Sequence, residues 1–342
     1  MSEPWLSVVM TTYNACDYLT VALESVTSQE VADLEVIAVD DGSTDKTLEI
    51  LERYRSRIDL KIIVIKHTGN WIANMNRGLK LARGRYVSFL HHDDYWMSGR
   101  IKAARALLDK VPETVLLVHP VWFVDARGQR LGLWRNSLGT RTPLSPEKVV
   151  ERLLVQNSIA MPSPIFRREV ALQVGCLDED LWHSADWDFW LKLAAEGLTI
   201  DLPRPLAAYR IHPVTATWQG TSRMEDYRWQ MDAVLDRHSS SCVCNDRTRS
   251  NVLKVARFSI EVNTRLAAYA HGYFTRLGNL MVLFAAIGPG GWRRYLRDSR
   301  IIERVSSRVR AGMLRWPRTP DGLVKTEFGP SKPHVAGSRQ DA

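Results

Sequence analysis

Over the first 120 residues, short apolar runs alternate with longer stretches of helical spacing, and each apolar run ends in polar side chains. The runs are LSVVMTT (6–12), LEVIAVDD (34–41), LKIIVIKH (60–67), RYVSFL (85–90) and TVLLVHPVWFVD (114–125), the last a strand or a hairpin. Between them Leu19, Ala22, Leu23 and Val26 form a helical stripe. GSTDKTLEILERY opens with turn and cap residues and continues as a helix, NWIANMNRGLKLA is helical and closed by Arg83-Gly84, and MSGRIKAARALLDK is the next helix. Strands separated by helices join side by side through crossovers, so this alternation predicts an α/β fold with a mainly parallel sheet covered by helices. Ligands of such sheets sit beyond the carboxyl ends of the strands. Those ends carry Thr11, Thr12, Tyr13 and Asn14, then Asp40 and Asp41, then His67, then His91, His92, Asp93 and Asp94. All fall on one edge, which predicts a binding cleft there.

The rest of the chain adds few constraints. With 342 residues, 45% of them hydrophobic and 25% charged, it is long enough for a sizeable core in one large domain or two ordinary ones. A net charge of +8 suits an anionic partner, whether nucleic acid, acidic membrane or phosphate-bearing substrate. Four cysteines make no disulfide framework, and Cys242-Val-Cys244 is too tight and isolated for a four-ligand zinc site, so free thiols in a reducing compartment are expected. The N-terminus lacks the pattern of a signal peptide, and the best apolar run, 280–287, is too short to span a bilayer. These features predict a cytoplasmic protein, soluble or peripherally attached. From about 140 to 218, proline-rich loops flank a short aromatic helix, DWDFWLKLAAEG (186–197). Beyond about 220 the chain becomes helical and rich in arginine, and from 317 it is polar with Pro and Gly, which predicts a disordered tail.

Four clusters could carry chemistry, each with a plainer alternative. VDDGSTDKT offers paired carboxylates that could accept bonds from a base or ribose; alternatively Ser43 or Thr44 simply caps a helix with Asp45 aiding its dipole. HHDD offers ligands for Mg²⁺ or Mn²⁺, which need few protein carboxylates when phosphates complete the shell, or else a solvated polar turn. In HSADWDFW, rings of Trp182, Trp187, Phe189 and Trp190 surround Asp186 and Asp188; desolvation raises a carboxyl's pKa and suits a general base, whereas the alternative is a cap beside core tryptophans. YRIHP supplies Arg210 and His212, able to meet phosphate or metal, although a lone histidine is commonly structural. No G-x-G-x-x-G follows the first strand and no P-loop exists, which removes the usual signatures of dinucleotide and P-loop phosphate binding.

Taken in order, SVVMTTYNACDYL…LEVIAVDDGSTDKT, GNWIANMNRGLKLARGRYVSFLHHDDYW, GCLDEDLWHSADWDFWLKLAAEGLTI and YRIHP resemble glycosyltransferase family 2, over about residues 5–218. The resemblance implies a GT-A fold with a nucleotide-sugar half (1–120) and an acceptor half (121–218), and the arginine-rich helical pattern beyond it predicts a helical extension over 219–316. It implies that Thr11 and Tyr13 hold the nucleotide base, that Asp40 with Asp41 reads base and ribose, and that Asn76 and Arg77 line the nucleotide site. Asp93 matches the second carboxylate of the family's D-x-D metal motif, Asp94 follows it, Asp186 matches the general base, and His212 helps hold the metal–diphosphate. Two positions depart: His91 replaces the first Asp of D-x-D, leaving Asp93 as the direct ligand with His91 toward the ribose or a metal-bound water, and Ala185 replaces the Glu before the base. The motif of processive relatives is not clearly present, since EDYRW has Glu at the required place, and a non-processive enzyme is implied.

The implied reaction moves one sugar, with inversion, from a UDP-sugar by default to a glycan or lipid-linked glycan hydroxyl in cell-surface polysaccharide synthesis, with Mn²⁺ or Mg²⁺ as cofactor. In 290–318, nine arginines accompany an apolar stripe of Trp292, Leu296, Ile302, Val305, Val309 and Met313, the pattern of a basic amphipathic helix on an anionic membrane surface, or of a helix packing that stripe on the catalytic domain. Nucleic acid is not expected, because no recognisable fold interleaves aromatic and basic residues. Two alternatives are a sugar-phosphate nucleotidyltransferase, which should carry a Gly-rich basic loop absent from TTYNACDY, and a non-catalytic binder, favoured by His91 and Ala185 but opposed by Asp93, Asp94 and Asp186.

Overall fold

The computed structural model describes residues 3–139, 142–211, 224–241, 245–270 and 278–313. The chain runs through β1 (Leu6–Thr12), α1 (Leu19–Thr27), β2 (Leu34–Asp40), α2 (Thr47–Tyr54), β3 (Asp59–Val64), α3 (Trp71–Leu81), β4 (Tyr86–Phe89), β5 (Tyr95–Trp96), α4 (Arg100–Leu108), β6 (Thr114–Val118), β7 (Val121–Val124) and β8 (Arg130–Trp134). It continues through α5 (Pro146–Leu153), β9 (Ile165–Arg167), α6 (Arg168–Gln173), α7 (Ala185–Ala195), β10 (Leu198–Asp201) and β11 (Ala207–Arg210). Four further helices close it: α8 (Met224–His238), α9 (Asp246–Ala270), α10 (Gly278–Ser299) and α11 (Ile301–Met313).

The central sheet has the order β10-β6-β9-β4-β1-β2-β3, parallel except for β9, which runs antiparallel between β4 and β6. Both β1 and β2 are buried at all seven positions, as strands covered by helices on both faces must be. Their register sets Thr12 beside Asp40, so the polar ends of the two strands coincide. β4 stops at Phe89 opposite Val9, which leaves residues 91–94 to turn over Thr11. α3 lies tight on β1 because residue 78 is glycine: a Cβ there would stand 2.4 Å from Val9 Cγ1. Asn70 starts that helix by accepting from the N–H groups of Ile72 and Ala73.

A second sheet, β5-β11-β7-β8, accounts for the run that read as one strand or a hairpin. The chain leaves the first sheet after Val118, re-enters as β7 and turns back antiparallel as β8. Neither Ser43 nor Thr44 caps α2; Ser43 bonds Asp40 and Thr44 bonds Asn14, while Asp45 accepts from the Thr47 N–H at 2.9 Å.

The arginine-rich helices share one apolar core with the acceptor half, so 219 marks no separate core. Fully buried Asp188 joins α7 to α8 through His238 (2.8 Å) and Arg237 (2.9 Å), while Lys192 reaches its other oxygen at 2.7 Å. Over its described part, 290–313, the stretch does not form one helix: Arg300 (φ 51°) separates α10 from α11. Several of its arginines turn inward, Arg294 to Glu151 and Asn251, Arg297 to Asp298 and Arg310 to the Leu131 carbonyl. Of the apolar stripe, Trp292 packs on the main core while Leu296 (52%), Ile302 (71%) and Val309 (52%) are exposed. Among the described residues no helix is long and apolar enough to cross a membrane. Cys16 and Cys176 are free thiols; Cys242, Cys244, His212 and the tail from 317 lie outside the described residues.

Candidate active site

The carboxyl edge of β1, β2 and β4 gathers most of the expected residues. At its base-binding end, Asp40 is wholly buried and accepts from Thr12 Oγ1 (2.8 Å), Ser43 N (2.8 Å) and Ser43 Oγ (2.5 Å). Asp41 accepts from Thr68 N and Oγ1, from Gly69 N and from His67 Nδ1, at 2.9–3.0 Å. A carboxylate offers about four lone-pair sites. Asp41 therefore has its sites engaged by the loop after β3, and it builds the pocket wall by fixing that loop. The same contacts hold His67 in a stack on Tyr13, ring centroids 4.1 Å apart and planes 18° from parallel. Gly42 allows the turn, with φ 74° and the His67 amide close by.

At the next strand end, His91 Nδ1 lies 3.4 Å from Thr11 Oγ1, and the ring meets Trp71 edge-on at 5.4 Å. Burial lowers the His91 pKa to about 4, so this imidazole is neutral and contributes a hydrogen bond rather than a charge. The His92 ring contacts the Thr11 carbonyl at 3.2 Å. Asp94 is buried and accepts the Arg210 N–H at 2.9 Å; burial, then the neighbouring Asp93 charge, pushes its pKa well up. Held in this way, Asp94 is turned onto the Arg210 backbone rather than toward solvent.

Asp93 keeps a partly exposed side chain while its carbonyl accepts from Arg210 Nε at 2.8 Å. The Arg210 guanidinium also donates to the Asp125 and Ala126 carbonyls (3.0 Å each) and lies over the Tyr18 and Tyr95 rings. Arg210 thus locks the HHDD turn to β11 and the β7–β8 connection.

No three His, Cys, Asp or Glu side chains converge on a metal site among the described residues. One accessible carboxylate, Asp93, fits only a hard cation that takes most of its oxygens from substrate phosphates and water. His212 lies outside the described residues.

Asp186 starts α7, its carboxylate held by Asn157 Nδ2 (2.9 Å) and by the Trp187 N–H (2.8 Å). Burial raises its pKa to about 6 against those two contacts. α7 is seated by an aromatic cluster in which Phe89 of β4 meets Phe166, Phe189 and Trp190 at 5.0–6.2 Å. The segment before Asp186 is gripped by α8: Gln230 Oε1 accepts from the His183 and Ser184 N–H groups at 2.8 and 3.3 Å, and Asp226 from Trp182 Nε1 at 2.5 Å. Facing the acceptor-side loop, fully buried Arg100 donates to Ser88, His119 and the Ser163 carbonyl, with burial lowering its pKa to about 9.

The structure does not bring the Asn76 amide into this edge. The Asn76 amide is buried and pairs with the Leu177 backbone and Glu179, tying α3 to the segment before α7, while Arg77 lies on the exposed face of α3. Sequence reasoning missed Asn157 and Gln230, whose patterns distinguish them from no other amide.

Residues 7–171 match the family described as glycosyl transferase family 2. An uncharacterized glycosyltransferase of Methanocaldococcus jannaschii is 30% identical over 216 residues, covering 62% of this chain and 72% of that protein. The poly(ribitol-phosphate) β-N-acetylglucosaminyltransferase TarS of Staphylococcus aureus is 34% identical over 175 residues, 48% of this chain but 30% of TarS. A solved structure of TarS 1–349 superposes with a TM-score of 0.61 at 20% identity, covering 97% of this chain and 99% of that one, and a second holds UDP (TM-score 0.60). The shared architecture is the GT-A fold. This chain belongs to glycosyltransferase family 2.

Proposed function

We propose that this glycosyltransferase transfers one sugar, with inversion, from a UDP-sugar to a hydroxyl of a glycan or lipid-linked glycan, as a step in cell-surface polysaccharide synthesis. The observation that carries this reading is the junction of β1 and β4, where Thr11 contacts His91 and sets the Tyr13–His67 ring pair and the Asp93 corner on neighbouring strand ends. The relative TarS is an N-acetylglucosaminyltransferase and its fold neighbour binds UDP, which supports a uridine donor.

In this reading Thr11 and Tyr13 hold the base, with His67 completing the ring platform and Asp40 and Asp41 shaping the pocket. His91 is a neutral partner for the ribose. Asp93 and His212 would hold a divalent cation, which when bound would supply positive charge for the departing diphosphate. Asp94 and Arg210 fix the Asp93 backbone, Asn76 ties α3 to the segment before α7, and Arg77 on the exposed face of α3 is left to line the nucleotide site. The acceptor oxygen forms a bond to the anomeric carbon as the bond to the diphosphate breaks, and the diphosphate leaves with the electron pair. The hydroxyl proton passes to Asp186, whose pKa of about 6 leaves it mostly ionised at neutral pH yet basic enough to accept. Alignment of both substrates supplies much of the rate. The exposed apolar residues Met281, Val282, Leu296, Ile302 and Val309 favour peripheral contact with the cytoplasmic face of a membrane, which cosedimentation with anionic vesicles measures.

The test is a donor-hydrolysis screen: purified protein with a panel of nucleotide sugars and Mn²⁺, Mg²⁺ or chelator, reading released nucleoside diphosphate. Release from one donor, abolished by chelator and by Asp93→Ala and greatly slowed by Asp186→Ala, is expected, and lipid extract as acceptor should speed it. A donor that binds without turnover under every condition, lipid extract included, would favour a binding protein instead.

A further inference from the structure

Several arginines of the helical extension meet carboxylates, and others, Arg304 and Arg308 among them, do not. Arg228, Arg237, Arg265, Arg294 and Arg297 each meet a carboxylate: Glu261, Asp178 with Asp188, Glu261 again, Glu151 and Asp298. Arg304 and Arg308, four apart on α11, form no ion pair among the described residues. Arg304 Nη2 donates to Asn263 at 3.2 Å, but Nη1 is enclosed without any acceptor. Like charges four apart on a helix repel, and an enclosed guanidinium N–H without an acceptor is unfavourable; both costs are relieved by a bound anion.

This pair faces the segment that carries Asp186. α11 has three faces. Glu303, Ser307 and Arg310 meet β8 and the residue after it, and Ile302 and Val309 face outward. Arg304 and Arg308 lie near Tyr227, whose ring packs on His183 at 4.5 Å, three residues before Asp186. A second route reaches the same carboxylate: Asn263 donates to Gln156, Gln156 to the Asn157 carbonyl, and Asn157 to Asp186. Among the described residues, no carboxylate is paired with either guanidinium. Tyr295 is held neutral by burial, the Asp226 carboxylate is directed to Trp182 and Gln230, and His183 is uncharged because burial, then the Arg308 charge, lowers its pKa to about 4.

We infer that Arg304 and Arg308 form an anion subsite beside the proposed base, which receives a phosphate group of the acceptor while its hydroxyl lies at Asp186. Two guanidinium groups flanked by tyrosines match the oxygens of a phosphate ester. The inference rests on the reading of Asp186 as the acceptor-side base, and it narrows the acceptor to a phosphate-bearing one. The phosphate could belong to a polyol-phosphate polymer or to a lipid diphosphate linker.

The 342-residue chain is first saturated with UDP, so that no phosphate enters the donor end. It is then titrated calorimetrically with glycerol 3-phosphate and, separately, with a short-chain prenyl diphosphate. At least one is expected to bind, and the tighter one identifies the source. Arg308→Ala, a surface change that leaves folding intact, should weaken that binding roughly tenfold, as loss of one charge-assisted contact does, and Arg304→Met with Arg308→Ala should abolish it. UDP affinity should stay within about twofold, since the donor end lies elsewhere. Equal binding by wild type and the double variant, or no binding of either ligand to UDP-saturated wild type, overturns the subsite. Failure of UDP itself to bind strikes the donor reading instead, and the titration without UDP still reads the arginines.

Discussion

Asp186→Asn should make the protein more stable at alkaline pH while disabling it. Burial raises the Asp186 pKa from 3.8 to about 6, a shift of roughly two units, so ionising it in the fold costs about 3 kcal/mol more than in the unfolded chain. The sign follows from the direction of the shift. The folded protein favours the protonated carboxyl, so stability from this group is fully present below pH 3.8 and lost as pH rises through 6. Asparagine never ionises and avoids that loss. It can still accept from Asn157, but it has no second oxygen for the Trp187 N–H, which costs about 1 kcal/mol. The variant should therefore be about 1 kcal/mol less stable than wild type near pH 3.5. The difference should change sign between pH 4 and 6 and settle at about 2 kcal/mol in favour of the variant above pH 7. Urea unfolding of both proteins across that range measures the difference directly. Donor turnover should fall by roughly 10²–10⁴, and the wild-type rate should climb with pH through an acid limb near 6. A stability difference that is flat with pH, or that favours wild type at pH 8, would refute the claim that Asp186 is held desolvated.

Arg210→Ala leaves the carbonyls of Asp93, Asp125 and Ala126 without their donor, and should cost about 3 kcal/mol or more in urea unfolding and raise the donor KM. Arg210→Lys should recover little, because one ammonium cannot span three carbonyls as the planar fork does; an unchanged donor KM in either variant would contradict the locking role. Asp188→Asn should cost about 3–5 kcal/mol, because Lys192, Arg237 and His238 keep their places around a lost charge. Although burial opposes it, bonds from His238 and Lys192 hold the Asp188 pKa down at about 2. Its contribution of about 2 kcal/mol is present above pH 3.8 and fades as pH falls toward 2, so the wild-type advantage over Asp188→Asn should shrink in that window.

The sequence by itself determined the parallel strands β1 to β4 and the edge where their polar ends gather. Alternating strand and helix periods force parallel pairing, and parallel pairing places Thr12 beside Asp40 and the residues after Phe89 over Thr11. These consequences of backbone hydrogen bonding are local and periodic, and so they are legible. The tertiary structure decided which polar side chains are engaged by the chain itself. Asp40 and Asp41 read as open carboxylates, but neighbouring loops take up their oxygens; Asn76 read as part of the nucleotide site, yet pairs with Leu177, 101 residues on. The direction of the arginines was equally hidden, because a helical stripe says which residues share a face and not which face meets the protein. Asn157 reaches Asp186 across 29 residues and Arg210 reaches Asp94 across 116. Such contacts join segments with no shared period, so only the packing of α7 on the central sheet and the pairing of β11 in the second sheet bring them together.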